Sequence, residues 1–160
     1  MSVRTTDLCD AFDAELSVLE PLFGSYGARA EFSGEVATVR VFEDNVLVRR
    51  EVERPGNGRV LVVDGGGSLR CALLGDQLAA LALANGWSGI IVNGCIRDAR
   101  EIAKLDLGVR ALNTHPRKSR KLGQGETGVM LNFAGVNIAP GNVVYADEDG
   151  IVVAQTALDL

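Results

Sequence analysis

Between Val60 and Asp98 the chain reads VLVVDGGGSLRCALLGDQLAALALANGWSGIIVNGCIRD, and that order leaves room for little besides an α/β unit. Val60–Val63 is a short apolar run bounded by Asp64 and three glycines, the pattern of a strand running into a loop. Gly65–Gly67 let the backbone turn with no Cβ in the way. Asp76 stands where a helix can start, Leu78, Leu81 and Ala82 follow at helical spacing, and Gly86 ends the run. Gly89–Val92 is a second buried strand that leads into Asn93-Gly94-Cys95-Ile96-Arg97-Asp98. The unit has two polar ends. Asp76 lies at a helix N-terminus, and Arg97-Asp98 lies just past the carboxyl end of the next strand. In α/β sheets ligands gather in such places.

The flanking sequence extends this pattern. Thr5–Glu15 reads as a helix with Thr6-Asp7 as its cap and Leu8, Phe12 and Leu16 every four residues. Leu19–Phe23 is a short apolar patch, Phe32–Val41 a strand, and Asn45–Glu53 a helix begun by Asp44-Asn45. Pro55-Gly56-Asn57-Gly58 is a strong turn. After the central stretch come a helix over Asp98–Lys104, a strand over Val109–Leu112 and a basic loop over Asn113–Leu122. Short strands follow at Val129–Phe133, Val136–Ile138, Val143–Tyr145 and Ile151–Ala154. Helices alternate with strands in the first two thirds, and strands dominate the end. The fold class is therefore α/β in three layers, with a mixed or antiparallel β layer closing it. A purely doubly wound sheet does not account for the β-rich tail.

Composition narrows the partners. The 160 residues suit a single domain, 1–160, large enough for a proper core. A net charge of −5 argues against nonspecific binding to nucleic acid or membrane. No apolar run approaches the roughly 20 residues that span a bilayer, and MSVRTTDLCDAFDAE lacks the apolar core of a signal peptide. The cytoplasm is the expected location. Cys9, Cys71 and Cys95 form no CxxC pair and are expected to be reduced thiols.

Each residue that could carry chemistry has a plainer reading. The first-turn N–H groups at Gly75-Asp76-Gln77-Leu78 could bind a substrate carboxylate, or Asp76 could simply cap its helix. Arg97 offers a planar fork for a carboxylate, and Asp98 is a hard oxygen ligand suited to Mg2+ or Mn2+; alternatively they are a helix cap beside a surface Arg. Asp64-Gly65-Gly66-Gly67 is reminiscent of a phosphate cradle, but GxGxxG and GxxxxGK[ST] are both absent. His115 is the only histidine, so a serine-hydrolase triad has no support. Cys95 reads as a small buried hydrophobe, and Trp87 as a plug at the helix–strand junction. Arg117, Lys118, Arg120 and Lys121 read as a solvated loop, or as a rim steering anions inward.

VLVVDGGGSLRCALLGDQLA, GWSGIIVNGCIRD, LGVRALNTHPRKS and GNVVYADEDGIVVA together resemble the RraA-like family. That family holds 4-hydroxy-4-methyl-2-oxoglutarate aldolases and protein regulators of ribonuclease E. Some members carry an older menaquinone-methyltransferase label, for which this chain lacks a glycine-rich methyl-donor motif. The aldolase branch carries Asp, twenty residues, then Arg-Asp. Here Asp76 is followed by residues 77 to 96 and then Arg97-Asp98. The resemblance implies a swivelling β/β/α domain assembled as a homotrimer, possibly a dimer of trimers, with sites between subunits. It implies a metal-dependent lyase acting on a small 2-oxo acid through a pyruvate enolate. In that scheme Asp98 holds Mg2+ or Mn2+, Asp76 and Arg97 are catalytic, and Gly75, Asp76, Gln77, Leu78 and Arg97 bind substrate. No Schiff-base lysine is needed, and Val60–Asp98 contains no lysine. Oxaloacetate decarboxylation is expected as a second activity. The alternative is a non-catalytic protein that binds a ribonuclease E-type complex. Larger aldolases of the family have C-terminal extensions reaching a neighbouring subunit, a contribution not expected from a chain ending at Leu160.

Overall fold

Helix α1 (Thr5–Phe12) opens the fold and tightens into a 3-10 turn over Asp13–Glu15. Strands β1 (Leu16–Val18), β2 (Gly24–Ser25) and β3 (Phe32–Arg40) follow, then helix α2 (Val46–Val52) and strands β4 (Val60–Asp64) and β5 (Ala72–Leu74). Helix α3 (Asp76–Ala84), strand β6 (Gly89–Ile96), helix α4 (Ala99–Ile102) and strand β7 (Gly108–Thr114) complete the α/β part. The tail adds β8 (Glu126–Thr127), β9 (Leu131–Phe133), β10 (Val136–Ile138), β11 (Val143–Asp147) and β12 (Gly150–Ala154). This computed structural model describes residues 3–160; Met1 and Ser2 of the expected 1–160 domain lie outside the described residues.

Strands β3, β4, β6 and β7 lie side by side and parallel. Their period of two sorts the side chains onto two faces. Leu61, Val63, Ile90 and Val92 point towards Val48 and Val52 of α2, Leu78 and Ala82 of α3, and Ile102 of α4. Val60, Val62 and Ile91 point the other way, against Leu131, Ile138, Val144 and Val153 of the β-rich tail. The crossover helices thus share one face, and an antiparallel layer covers the other. The molecule is a three-layer, swivelling β/β/α fold with a mixed sheet. Strand β3 makes the swivel: its first half pairs antiparallel with β11, and Val36–Arg40 pair parallel with β4. Gly89 and Gly108 sit opposite each other on β6 and β7, where a Cβ on either would overlap the Phe32 ring that lies across them. Helix α1 packs outside the antiparallel layer through Leu8, against Tyr145 and Val152.

Several sequence expectations shift by a turn or a strand. The first helix ends at Phe12, not Glu15, and the helix after Asp98 shrinks to a single turn. Neither Thr6 nor Asp7 caps α1; Thr5 instead donates its N–H and hydroxyl to the buried Asp147 carboxylate, at 2.7 Å each. Strand β6 runs on to Ile96, and β7 takes in Asn113 and Thr114 from the expected basic loop. Trp87 does plug its junction: it is buried, its indole N–H donates to the Arg54 carbonyl, and Arg59 lies over its ring. Among the described residues no helix is long and apolar enough to cross a membrane.

Candidate active site

A cleft of about 320 Å³ opens where β5, β6, α2 and α3 meet. Gly75, Asp76, Gln77, Leu78, Arg97 and Asp98 all line it. The parallel pairing of β5 with β6 is what brings the two ends of the central stretch together, since Leu74 lies beside Ile96 and the Arg97 N–H donates to the Leu74 carbonyl.

Asp98 joins the two ends directly. Its Oδ2 accepts the N–H of Asp76 at 3.1 Å, so Asp98 caps α3 from 22 residues away. Asp76 is therefore not the cap of its own helix. It is the first helical residue, after Gly75, and makes no side-chain capping bond. The capping contact leaves the N–H groups of Gln77 and Leu78 as first-turn donors without intrahelical acceptors, beside the positive end of the dipole. Of the amide set Gly75–Leu78, the Asp76 N–H is already in use. Asp98 holds its position in a left-handed conformation (φ 59°, ψ 41°), which Asp adopts more readily than most side chains. It stands at the N-cap of α4 but makes no side-chain bond there.

Gly75 makes this approach possible. A Cβ at Gly75 would stand 2.8 Å from Asp98 Oδ2 and 3.6 Å from Arg97 Nε. Its backbone (φ −123°, ψ −173°) suits any residue. Gly75→Ala is therefore expected to displace the Asp98 carboxylate and to lower the melting temperature by no more than loss of the α3 cap, worth about 1 kcal/mol, does. A displacement of about 1 Å at reacting groups costs on the order of 10²-fold in turnover. Steady-state rates alongside thermal melts check this.

The other wall comes from an unexpected quarter. Lys118, Ser119 and Lys121 of the basic segment face the cleft, as do Arg49 of α2 and Asn45, the residue before that helix. Four cationic side chains, Arg49, Arg97, Lys118 and Lys121, thus face two carboxylates, a reversal of the chain's net negative charge. Such a cleft concentrates anions. Lys118 and Lys121 line the cleft, where the rim reading would put them. Arg120 turns away to Glu43, and Arg117 is not among the lining residues. Asn45 amide Nδ2 donates to the Leu73 carbonyl at 3.1 Å, and its Oδ1 accepts from Lys121 Nζ at 2.9 Å. Asn45, Arg49 and Ser119 were not singled out from the sequence.

Glu43 and Asp44, both buried, anchor that wall. The Glu43 carboxylate accepts from Arg70 Nε and from the Ser68 hydroxyl, each at 2.6 Å, and pairs with Arg120 at 3.6 Å. The Arg70 hydrogen bond, then that of Ser68, lower its pKa from 4.5 to about 2, against the opposing effect of burial. Burial also disfavours the Asp44 charge, but N–H groups of Val46, Gln124, Leu122 and Gly123 more than offset it and hold its carboxyl below the usual range. Carboxyls lowered in this way bind fewer protons folded than unfolded, so their stabilisation is complete above about pH 4.5 and is lost as pH falls towards 2. Urea midpoints are expected to fall between pH 5 and 2.5, and less steeply in Glu43→Gln.

The remaining candidates have structural employment. Gly65, Gly66 and Gly67 spend their N–H groups inside the chain, on the Asn93 carbonyl and the Asp64 carboxylate, so the loop cradles no phosphate. His115 accepts the Arg117 N–H through Nδ1 and shapes the turn around Pro116. Cys9, Cys71 and Cys95 are free thiols; burial pushes the Cys71 and Cys95 thiols up, away from the reactive thiolate form.

Whether the site suits a divalent cation turns on its donors. Among the described residues no three His, Cys, Asp or Glu side chains converge. Mg2+ and Mn2+ do not require that, since one or two carboxylates with substrate oxygens and waters suffice. Asp98 commits only Oδ2 to the helix, so Oδ1 remains for a hard cation, with the Asp76 carboxylate on the same cleft. The donor set fits.

Comparison with known proteins agrees on family and fold. The model of the RraA-like family, described as Aldolase/RraA, matches residues 5–153. A protein of Alkalilimnicola ehrlichii, provisionally named a 4-hydroxy-4-methyl-2-oxoglutarate aldolase, is 60% identical over 158 residues, covering 99% of this chain and 98% of its own. A solved structure from Geobacillus kaustophilus, named an S-adenosylmethionine:2-dimethylmenaquinone methyltransferase, superposes with a TM-score of 0.96 at 54% identity, covering 98% of this chain and 97% of its own. The structure of an RNA-processing inhibitor, RraA, from a Thermus species superposes equally well (TM-score 0.96) at 48% identity, over 99% of this chain and 96% of its own.

Proposed function

The chain belongs to the RraA-like family, and on that premise we propose that it is a divalent-metal-dependent carbon–carbon lyase. Its substrate in this reading is 4-hydroxy-4-methyl-2-oxoglutarate, cleaved to two pyruvates, with oxaloacetate decarboxylation as a secondary activity. One observation carries the proposal: Asp76 and Arg97-Asp98, twenty residues apart in the sequence, line one cleft and are joined by the Asp98–Asp76 hydrogen bond. The name of the Alkalilimnicola relative supports the same substrate.

The residues divide the work as follows. The free N–H groups of Gln77 and Leu78, at the positive end of α3, bind the C1 carboxylate. Arg97 pairs with that carboxylate and balances charge at the C2 keto oxygen. Asp98 Oδ1 would hold the Mg2+ or Mn2+. Bound there, the cation supplies Lewis-acid stabilisation of negative charge on the keto oxygen. The C5 carboxylate lies towards Lys118 and Lys121. Asp76, through a water, accepts the C4 hydroxyl proton as the C3–C4 bond breaks. The bonding pair stays with C3 as the pyruvate enolate, C4 becomes the keto carbon of the second pyruvate, and Asp76 returns its proton to C3. Oxaloacetate loses CO2 to reach the same enolate.

The assembly fits the family as a homotrimer or a dimer of trimers, acting in the cytoplasm. A second reading, favoured by the likeness to the Thermus RNA-processing inhibitor, is a protein that binds a ribonuclease complex and needs neither Asp76 nor Asp98. The methyltransferase name of the Geobacillus relative finds no glycine-rich methyl-donor motif here. The test is pyruvate release from a panel of 2-oxo acids with Mg2+ or Mn2+, beside capture of a ribonuclease E-type partner. Release from the C4-hydroxylated acid supports the lyase. No release, with tight capture of the ribonuclease, supports the regulator.

A further inference from the structure

Three successive residues, Glu43, Asp44 and Asn45, each hold a segment that borders or lines the cleft. Glu43 grips the Ser68–Arg70 loop that leads into β5, and it also holds Arg120 of the basic segment. The same residue's carbonyl accepts the Arg120 N–H at 2.9 Å. Asp44 Oδ2 accepts the N–H groups of Leu122 (2.8 Å) and Gln124 (3.3 Å), while its Oδ1 accepts that of Val46 at the start of α2. Asn45 bridges Lys121 and the Leu73 carbonyl. The segment so held also pairs along its backbone, Lys118 with Ala72 and Arg120 with Asp44.

Two features mark this tripeptide as more than a helix start. Glu43 lies in the left-handed region (φ 57°), a conformation costly for a side chain of its size and kept only where its surroundings enforce it. And two consecutive acidic side chains are buried on a strand-to-helix turn, a place where carboxylates are usually exposed. Their partners lie on the two loops that flank the cleft, and Arg70 and Arg120 reach in from solvent, with side chains 73% and 63% exposed.

We propose that Glu43, Asp44 and Asn45 are positioning residues that clamp the 117–124 segment onto the cleft, fixing Lys118 and Lys121 opposite the α3 N-terminus. The proposal rests on the reading that the substrate's second carboxylate meets those lysines. Glu43 and Asp44 do not line the cleft; Asn45 does, and its role here is to hold Lys121 and the Leu73 carbonyl. Loosening it weakens binding of the dicarboxylate and spares binding of pyruvate, whose only carboxylate sits at α3.

Two measurements on Glu43→Ala test this, with Arg70→Gln as a second variant that removes one partner of Glu43 at a largely exposed side chain. By hydrogen exchange, amides of residues 118–124 are expected to exchange at least about tenfold faster than in the parent, with β4 and β6 unchanged. In kinetics, KM for the dicarboxylate is expected to rise about tenfold at nearly constant kcat, while the inhibition constant of pyruvate stays within about twofold. Arg70→Gln gives smaller changes in the same direction. Unchanged exchange at 118–124 in both variants overturns the clamp. So does a parallel rise in KM and in the pyruvate constant, which marks general distortion of the site. If the parent chain releases no pyruvate at all, the lyase reading fails, and the exchange data alone decide the clamp.

Discussion

Asp98→Asn is expected to fold as the parent does and to lose metal-dependent turnover by about 10³-fold or more, the scale on which a Lewis acid stabilises developing charge. Asn suits this test better than Ala. An amide oxygen can still accept the Asp76 N–H, and Asn tolerates the left-handed backbone at position 98 as Asp does. What the substitution removes is the anionic oxygen left over for the cation. Asp98→Ala also abolishes turnover, but with a second loss. It strips the α3 cap, worth about 1 kcal/mol, and puts a β-carbon in left-handed backbone with no polar group to compensate. Asn should thus show near-parental melting with no activity, and Ala a lower melting temperature with no activity. An active Asp98→Asn enzyme removes Asp98 as the metal ligand.

Arg97→Ala is expected to lower kcat/KM by roughly 10²- to 10³-fold, as removal of a preorganised donor at a developing oxyanion does. Stability should hardly move. Arg97 is half-buried, and its Nη1 makes only a long 3.5 Å contact to the Pro116 carbonyl. The guanidinium is thus held near the cleft without being spent on the fold. Arg97→Lys keeps the charge but loses the planar fork, so it should recover only part of the rate. Full recovery by Lys would reduce Arg97 to a source of charge, and an Arg97→Ala enzyme within tenfold of the parent would take it out of the reaction. Circular dichroism and steady-state kinetics on the same preparations separate these cases.

Much of this was legible in the residues. The runs Val60–Val63 and Gly89–Val92, with a helical stretch between them, specify neighbouring strands and a crossover because their spacing leaves few other arrangements. The β-rich tail, too, announced a second β layer through its short apolar runs. The strands that were missed, β1, β2, β5 and β8, are two or three residues long, too short for periodicity to register, and are held by partners far along the chain. One of them matters: β5 carries Gly75 and Asp76 to the end of β6.

Asp76, Arg97 and Asp98 could be named from their spacing, but not the bond that unites them. Asp98 read as a cap for the helix that follows it, yet that helix is one turn long, and the carboxylate caps α3 instead. Asp44, with Asn45, looked like an ordinary helix start for a similar reason, and Glu43 was not singled out. Apart from Val46 beside Asp44, their partners stand 25 to 80 residues away, and no local pattern carries such information. The basic segment stood out by its charge, and Lys118 and Lys121 do line the cleft, whereas Ser119, a small polar residue within it, gave no signal.

The central claim is that turnover depends on a cation held at Asp98. The most direct measurement is pyruvate release from 4-hydroxy-4-methyl-2-oxoglutarate by protein treated with EDTA, followed by addition of excess Mg2+ or Mn2+. No release above background is expected in EDTA, and two pyruvates per substrate once the metal is restored. Equal release with and without EDTA would contradict it.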